Sequence, residues 1–477
     1  MSYGLRKLST RTKLVAAAVA LAFAGVSHAQ TQVGGGATLP SLLYVGAAAA
    51  NPSTPQLTDN TSATGTNIGA IASTSLLGVY DSTNSTTSSY CLTGSGAGKN
   101  ILAGITNESV QNPCPTSVSG GVTLGGFGAA AVGRTTLTQP NFAAADAPLS
   151  QSDFTNYTSV HGSTHLPVQF PVVAGAVAIA FNLTDNTGAA VTSSEVNFSD
   201  LQVCEIFSGT VTAWNDSRLA SAFTLPAGHS IPANAIKVQY RSDGSGTSFG
   251  FSNHLSTVCA AAGLTGGPFQ ASQNFVGAAP AVTSGFFTSA PSGWTGSSGN
   301  PAVAAAIAAT ANGIGYVELA NALATNPGLN FAEVNGASPQ TNFVVNAITG
   351  SSIAFNNVIS TTNSTNGEAA LTAISPAPTT QCIVIVRPNK YAAPSSSLGS
   401  ILPASTTSVP VYPIVAVSYF LGNSAGNGSD LSTTQGLVTS PYNSTITSQV
   451  TIPTGLKFIS LGANTFTASN VSGCYGT

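Results

Sequence analysis

The sequence predicts an α/β fold with partly parallel sheets. Apolar runs rich in β-branched residues and bounded by Gly, Pro and Asn recur along the 477-residue chain, and such runs are typical of buried strands. Helical patterns lie between them, and alternation of strands with helices favours a parallel sheet. A hydrophobic content of 43% argues for a packed core rather than a disordered chain.

The elements can be placed in chain order. Buried strands are predicted at residues 168–182, 236–240, 313–317, 382–386 and 411–421. Helices are predicted at residues 201–207, 249–262 and 301–311. The last of these begins with Pro301, which is tolerated in a first helical turn. Polar, low-complexity segments predict surface loops at residues 58–89, 265–299 and 360–381.

The first residues have the pattern of an export signal. Arg6, Lys7, Arg11 and Lys13 precede an apolar run over residues 14–26. We therefore predict a signal peptide at residues 1–29 and a product that is periplasmic or extracellular. No later stretch is continuously apolar for the roughly 20 residues that a membrane helix needs, so no membrane span is expected after signal removal.

The charge pattern argues against nucleic acid as a partner. Removal of the signal leaves eight basic and fifteen acidic residues, so the formal net charge changes from -3 to -7. Binding to a nucleic-acid backbone needs a basic face. Charged residues make up only 6% of the chain, and the surface is therefore expected to be rich in Ser, Thr, Asn and Gly.

The six cysteines predict disulfide bonds, because their number is even and the chain is exported. None has the close spacing of a zinc or redox motif. Fifteen connectivities are possible for six cysteines, and of these we predict sequential pairing. The predicted pairs are Cys91 with Cys114, Cys204 with Cys259, and Cys382 with Cys474.

Residues 240–249, Tyr-Arg-Ser-Asp-Gly-Ser-Gly-Thr-Ser-Phe, have the composition of an oxyanion site. They place a guanidinium, hydroxyls and two glycines just ahead of a predicted helix. A helix N-terminus has unpaired N–H groups and a partial positive charge, both of which suit an anion. Arg241 adds a planar donor group that fits phosphate, and Asp243 is expected to orient it.

Five segments in order resemble the substrate-binding protein of bacterial phosphate-specific ABC importers. They are the Gly-rich segment 34–40 ending in Ala-Thr-Leu-Pro, the Gly-Ser turn 94–98, the Asp-Ala-Pro-Leu-Ser segment 146–150, the strand 171–177 and the loop 241–249. Any one of them is a weak signal by itself, and their shared order carries the resemblance.

The resemblance implies a type II periplasmic-binding-protein architecture, in which two lobes close on a ligand like a Venus flytrap and crossover strands join them. Lobe 1 would comprise residues 30–171 and 407–477, and lobe 2 residues 172–406. It also implies that inorganic phosphate is the ligand and a membrane permease complex a possible partner. We expect a monomer that uses no metal and no cofactor.

The same resemblance implies the binding residues. Phosphate would contact Thr38, Leu39 and Ser95 from one lobe and Arg241, Ser245, Gly246 and Thr247 from the other. Asp146 would accept a hydrogen bond from a protonated phosphate oxygen, which sulfate cannot offer. The chain departs from the family at Leu39, where the family has Phe, and in the long segment between Ser95 and Asp146.

Other interpretations stay open from the sequence. Thr38 and Ser95 are also typical helix caps, Asp146 could be a turn residue, and Tyr316 with Glu318 would more commonly be structural. Two Gly-x-Ser-x-Gly patterns occur at residues 246–250 and 422–426. Neither combines the strand, sharp turn and helix of a hydrolase nucleophile with an Asp and a His that follow in chain order, and no histidine follows Ser424. A secreted phosphomonoesterase that uses the same cleft, and a surface protein with a degenerate pocket, remain the alternatives.

Overall fold

The fold is given by a computed structural model, which describes residues 31–46, 56–58, 71–104, 117–119, 122–124, 139–264, 268–280, 286–375, 378–460 and 468–476. The predicted signal peptide lies outside these residues. The strands are β1 Thr31–Gly36, β2 Gln56–Thr58, β3 Thr87–Leu92, β4 Ser117–Ser119, β5 Val122–Leu124, β6 Ala143–Ala145, β7 Pro167–Asn182, β8 Asn197–Phe198, β9 Lys237–Arg241, β10 Thr295–Ser297, β11 Gly313–Glu318, β12 Asn330–Phe331, β13 Glu333–Val334, β14 Ile353–Phe355, β15 Asn357–Ile359, β16 Leu371–Ala373, β17 Val384–Val386, β18 Val415–Asn423 and β19 Leu456–Phe458.

The α-helices lie mostly between these strands. They are α1 Ser41–Tyr44, α2 Leu76–Asn84, α3 Ser95–Leu102, α4 Gln151–His161, α5 Asp200–Phe207, α6 Gly246–Val258, α7 Phe275–Ala278, α8 Asn300–Ala309, α9 Leu319–Thr325, α10 Leu431–Thr439, α11 Ser444–Thr447 and α12 Ala468–Ser472. Short 3-10 helices occur at Ser193–Glu195, Ser217–Ala222, Pro388–Lys390, Gly428–Asp430 and Ser440–Tyr442. Each helix of the described ranges is too short or too polar to span a bilayer.

A large mixed sheet runs through the molecule in the order β10-β9-β11-β7-β18-β6-β1-β3-β2. At one end β1 pairs in parallel with β3 and β6, and at the other β9 pairs in parallel with β10 and β11. The two parallel parts are joined by antiparallel pairs that involve β7 and β18. The predicted α/β class with partly parallel sheets is therefore confirmed.

Strand β7 connects the two parts of the sheet. Its sixteen residues are almost entirely buried, as expected for a strand covered on both faces. Residues from Pro167 to Ala176 pair with β18, whereas residues from Val177 to Asn182 pair with β11. The partner thus changes between Ala176 and Val177, midway along a single strand.

Several sequence predictions need correction. The segment 58–89, predicted to be a loop, contains the start of β3 and helix α2, which buries Leu76, Leu77 and Val79. Helix α7 and strand β10 lie within the predicted loop 265–299, and β16 within 360–381. Small polar residues dominate these segments, and their few apolar side chains decide the structure through tertiary packing, which composition does not register.

Helix α6 begins at Gly246, three residues before its predicted start. The Ser245 hydroxyl accepts a hydrogen bond from the Ser248 N–H at 3.0 Å and caps the helix. The predicted start at Phe249 followed the first apolar residue instead. The helix therefore includes Gly246 and Thr247, and its N-terminus faces the predicted site.

Two predicted disulfide bonds, Cys204–Cys259 and Cys382–Cys474, are confirmed. The first links α5 to the residue that ends α6, and the second links the segment before β17 to the C-terminal segment after α12. Cys91 is also disulfide-bonded, while its predicted partner Cys114 lies outside the described residues.

Candidate functional site

The predicted site residues follow the carboxyl ends of strands in the large sheet. Thr38 and Leu39 follow β1, Ser95 follows β3, and Asp146 follows β6. Arg241 ends β9, and the segment after it leads into α6. Open α/β sheets bind ligands at this edge, so the topology brings together residues that are more than two hundred positions apart in the chain.

Ser95 and Asp146 contact each other directly. The Ser95 hydroxyl donates to Asp146 Oδ2 at 3.3 Å and accepts from the Asp146 N–H at 2.9 Å. Ser95 is the first residue of α3, so the carboxyl group lies at a helix N-terminus. Lys99, one turn further along, donates to the Pro148 carbonyl and the Asp153 carboxylate, each at 2.8 Å, and this holds α3 against the segment after Asp146.

Asp146 is a buried carboxyl group in an otherwise donor-rich cleft. Its Oδ1 atom has no hydrogen-bond partner among the described residues. Burial raises the pKa of Asp146 to about 7, even though the Ser418 hydroxyl, the Arg241 charge, the Ser95 hydroxyl and the Leu39 N–H favour the ionised form. The group can therefore either hold or accept a proton near neutral pH.

Arg241 and Asp243 form a bidentate ion pair inside the cleft. Arg241 Nε donates to Asp243 Oδ1 at 2.6 Å, and Nη2 donates to Oδ2 at 2.5 Å. Burial lowers the pKa of the guanidinium, but the adjacent carboxylate more than offsets this and the pKa is raised. The pair fixes the guanidinium and leaves its Nη1 edge for another acceptor.

The N-terminus of α6 completes this side of the cleft. Ser245, Gly246 and Thr247 are buried there, with the Thr247 hydroxyl 3.4 Å from Arg241 Nη1. The first N–H groups of a helix have no intrahelical acceptor. Free amide and hydroxyl donors are thus gathered beside the guanidinium.

Close backbone contacts join the residues before β7 to those after it. The Gly96 N–H donates to the Gly244 carbonyl at 2.8 Å. A Cβ atom at Gly246 would overlap the backbone and Cβ of Asp146. Only a residue without a side chain permits α6 to approach Asp146 this closely, so the segments before and after β7 are in direct contact at the site.

The structure brings Thr38, Leu39, Ser95, Asp146, Arg241, Ser245, Gly246 and Thr247 into one buried region, with Asp243 at its edge. The side chain of Leu39 lies against Gly175 of β7, and its N–H group faces Asp146. The region contains hydroxyl, amide and guanidinium donors with a single unpaired carboxyl oxygen, which is a donor set suited to a small oxyanion that carries one proton.

Sequence reasoning missed several residues of this region. Asn300 contacts both Thr38 and Thr247, but its neighbour Pro301 predicts only the start of a helix. Asn321 donates to the Thr38 and Leu39 carbonyls at 2.9 and 3.1 Å. Ser418 of β18 faces Asp146 from a strand whose sequence is almost wholly apolar, and it could have been singled out as the polar exception.

Tyr316 and Glu318, expected to be structural, lie behind the site. Tyr316 OH accepts from the Arg241 N–H at 3.1 Å and bonds to the Ser248 hydroxyl at 2.6 Å. Glu318 accepts from the Ala320 and Asn321 N–H groups at 2.8 Å and caps α9. Tyr316 thus supports the end of β9, where Arg241 lies, and Glu318 supports the start of α9, where Asn321 lies.

An open pocket of about 390 Å³ lies elsewhere on the surface. Trp214, Asp216, Phe223 and His229 are among its lining residues, and none of the predicted site residues is. Its Asp216 carboxylate is already paired with Arg218 at 2.7 Å. The buried cleft, rather than this pocket, combines free donors with a perturbed carboxyl group.

Residues 48–393 match the PBP superfamily domain. The matched range includes Ser95, Asp146 and the segment 241–247, but it begins after Thr38 and Leu39. Two sequence relatives are Alkaline phosphatase L of Pseudomonas aeruginosa, 27% identical over 69% of this chain and 67% of the relative, and Phosphate-binding protein PstS of Pasteurella multocida, 34% identical over 33% and 39%.

A solved structure is similar over almost the whole chain. It is a high affinity periplasmic phosphate-binding protein, PfluDING, bound with phosphate, and the similarity has a TM-score of 0.53 with 19% identity over 94% of this chain and 99% of that chain. At this level of identity, the similarity shows a shared fold and nothing further. The match covers 67% of the length of the Alkaline phosphatase L described above. It covers only 48% of the length of two other Alkaline phosphatase L sequences from Pseudomonas aeruginosa.

Proposed function

Because the chain belongs to the PBP superfamily, we propose that it is an exported binding protein that captures inorganic phosphate in the cleft between two lobes. The observation that carries the proposal is the convergence of donors on Asp146. Hydroxyl, amide and guanidinium donors from the segments before and after β7 surround one buried carboxyl group. Its Oδ1 atom lacks a hydrogen-bond partner among the described residues. The names of the relatives and of the similar structure support phosphate as the ligand.

The donor set explains how phosphate would be distinguished from sulfate. A phosphate ion that carries a proton can donate it to Asp146 while its other oxygens accept from the surrounding donors. Sulfate has no proton to give and would place two unpaired negative oxygens in contact. Such a mismatch in a desolvated site costs on the order of a few kcal/mol.

Binding would proceed by closure of the lobes around the ion. Thr38, Leu39, Ser95 and Asp146 belong to proposed lobe 1, and Arg241 to Thr247 belong to proposed lobe 2. The Gly96–Gly244 hydrogen bond and the fit of Gly246 on Asp146 can form only when the lobes meet. Closure removes the ion from water and supplies fixed donors at the same moment.

The setting of this binding is also part of the proposal. The signal-like pattern of residues 1–29 and the similar structure, which is of a periplasmic protein, support export to the periplasm or the outside of the cell. Delivery to a membrane permease is the use suggested by the importer resemblance, and the protein is proposed to act as a monomer. Pull-down of a membrane permease with phosphate-loaded protein tests the first of these.

Isothermal titration of the purified protein with phosphate tests the function, with sulfate as the control anion. We expect phosphate to bind tightly with one ion per chain and sulfate to bind at least tenfold more weakly. Absence of phosphate binding after extensive dialysis against phosphate-free buffer would reject the proposal.

A phosphomonoesterase is the second candidate, supported by the relative named Alkaline phosphatase L. The same donors could stabilise a phosphoryl group during transfer. Among the described residues no group of three or more His, Cys, Asp or Glu is placed to hold a metal ion. A chromogenic phosphomonoester with and without divalent metals tests this candidate, and turnover that Arg241→Ala abolishes would favour it.

A further inference from the structure

Asn300 lies between two threonines that come from opposite sides of the cleft. It is fully buried as the first residue of α8. Its Nδ2 atom is 3.3 Å from the Thr38 hydroxyl oxygen and 3.1 Å from the Thr247 hydroxyl oxygen. Its backbone N–H also donates to the Thr38 hydroxyl at 3.4 Å.

The orientation of the Asn300 amide is fixed by a backbone group. Oδ1 accepts from the Glu318 N–H at 3.0 Å. Because a backbone N–H can only donate, the atom facing it must be the amide oxygen, and the amide NH₂ must then face the two threonines. Both contacts with the hydroxyl groups are consequently donations from Asn300.

This arrangement fills the acceptor capacity of both hydroxyl groups. Thr38 Oγ1 accepts from Asn300 N and Nδ2, and Thr247 Oγ1 accepts from Asn300 Nδ2 and from Arg241 Nη1. A hydroxyl group has two acceptor lone pairs and one hydrogen. Among the described residues neither hydroxyl donates to a protein acceptor, so each has its hydrogen left for a bound ligand.

We propose that Asn300 is a positioning residue that makes Thr38 and Thr247 obligate hydrogen-bond donors to the bound phosphate. The inference rests on the proposed function and adds a specificity determinant to the same site. With both threonines unable to accept, Asp146 is the acceptor left for a ligand proton on this side of the cleft. Asn300 thereby restricts the site to an oxyanion whose remaining oxygens carry no proton.

The first test compares Asn300→Asp and Asn300→Ala with wild type by phosphate calorimetry. The aspartate would accept from both hydroxyl groups, turn their hydrogens away from the ligand and add a negative charge. We expect affinity to fall by at least about a hundredfold for Asn300→Asp and by about tenfold for Asn300→Ala. Affinities within threefold of wild type for both variants would overturn the proposal.

A double-mutant cycle separates positioning from a structural role. If Asn300 acts through the hydroxyl groups, Asn300→Ala should cost less affinity in a Thr247→Val background than in wild type. An equal loss in the two backgrounds would mean that Asn300 does not act through Thr247 and would contradict the proposal.

Asn423→Asp provides the matched control. Asn423 is also fully buried, but it lies at the end of β18, where it bonds to Tyr157 and the Pro140 carbonyl. We expect it to lower the unfolding temperature without a comparable loss of phosphate affinity. Equal affinity losses in the control and Asn300→Asp would show a purely structural effect.

If wild type fails to bind phosphate, the proposed function fails too, whereas normal binding by wild type and both Asn300 variants rejects only this inference.

Discussion

Two buried carboxyl groups, Asp146 in the cleft and Glu318 behind it, differ in their hydrogen bonding. Burial raises the pKa of Glu318 to about 8, and the charge of Asp146 adds to this, although three N–H donors from Ala320 and Asn321 oppose it. Asp146 is also raised, to about 7, but has an unpaired oxygen. Glu318 is thus satisfied by the protein, whereas Asp146 has acceptor capacity for a ligand.

These raised pKa values predict a pH dependence of stability without ligand. Groups whose folded pKa exceeds the unfolded value stabilise the fold at low pH, and the effect is lost as pH rises through about 7 and 8. We expect Asp146→Asn to reduce the fall in unfolding free energy between pH 5 and 8 by about 1–3 kcal/mol. Chemical denaturation at the two pH values measures it, and equal changes in wild type and variant would contradict the assignment.

Substitution of the charged groups in the cleft tests their binding roles. Arg241→Ala removes the only guanidinium described in the cleft, and Asp146→Ala removes the acceptor for the ligand proton. We expect each to lower phosphate affinity by at least about tenfold, or about 1.4 kcal/mol. Calorimetry checks this against Arg218→Ala, whose exposed side chain pairs with Asp216 near the other pocket. Unchanged affinity in both cleft variants would reject the assigned roles.

At the scale of elements, the approach of α6 to Asp146 decides whether the cleft can close. A methyl group at Gly246 would overlap Asp146, and the overlap involves backbone atoms that cannot move independently of β6. We expect Gly246→Ala to lower phosphate affinity by tenfold or more because closure is blocked. Calorimetry measures the affinity, and circular dichroism checks that the secondary structure is retained.

Gly328→Ala is the control for this substitution. An added Cβ atom at Gly328 meets no atom within 4 Å, so affinity should stay within twofold of wild type. If Gly246→Ala binds phosphate equally well, the contact between α6 and Asp146 is not required for binding.

The helix starts show what sequence could and could not specify at this scale. The Arg241 segment predicted a helix N-terminus with hydroxyl and glycine residues, and α6 begins there. The approach of α8 to the same site was not predicted, because Asn300 resembles any helix-start residue until its distance to Thr38, 262 positions away, is known. Local patterns encode a helix terminus but not what faces it.

At the scale of the whole molecule, β7 and β18 join the two parallel parts of the sheet. The division into lobes at residues 171/172 and 406/407 remains a prediction, while β7 changes its partner between Ala176 and Val177. If the lobes open without ligand, phosphate should reduce the radius of gyration and sulfate should not. Small-angle X-ray scattering measures this change. An unchanged radius would mean that the lobes do not open.

The disulfide bonds should affect stability more than binding. Cys382–Cys474 closes a long part of the chain, with a sequence separation of 92, and neither cysteine is among the site residues described above. We expect the double substitution Cys382→Ser and Cys474→Ser to lower the unfolding free energy by about 2–5 kcal/mol. Phosphate affinity should stay within threefold of wild type. A large loss of affinity at full folding would show that this bond also shapes the cleft.

The sequence by itself determined the α/β class, the buried strands, the expectation of disulfide bonds and the chemistry of the Arg241 segment. Each of these follows from residue types and their local patterns along the chain. Only the tertiary structure decided that Asn300, Asn321 and Ser418 join the site, and that Asp146 is buried with an unpaired oxygen. Those facts depend on distances between residues far apart in sequence, and on the loss of water around them, which no local pattern specifies.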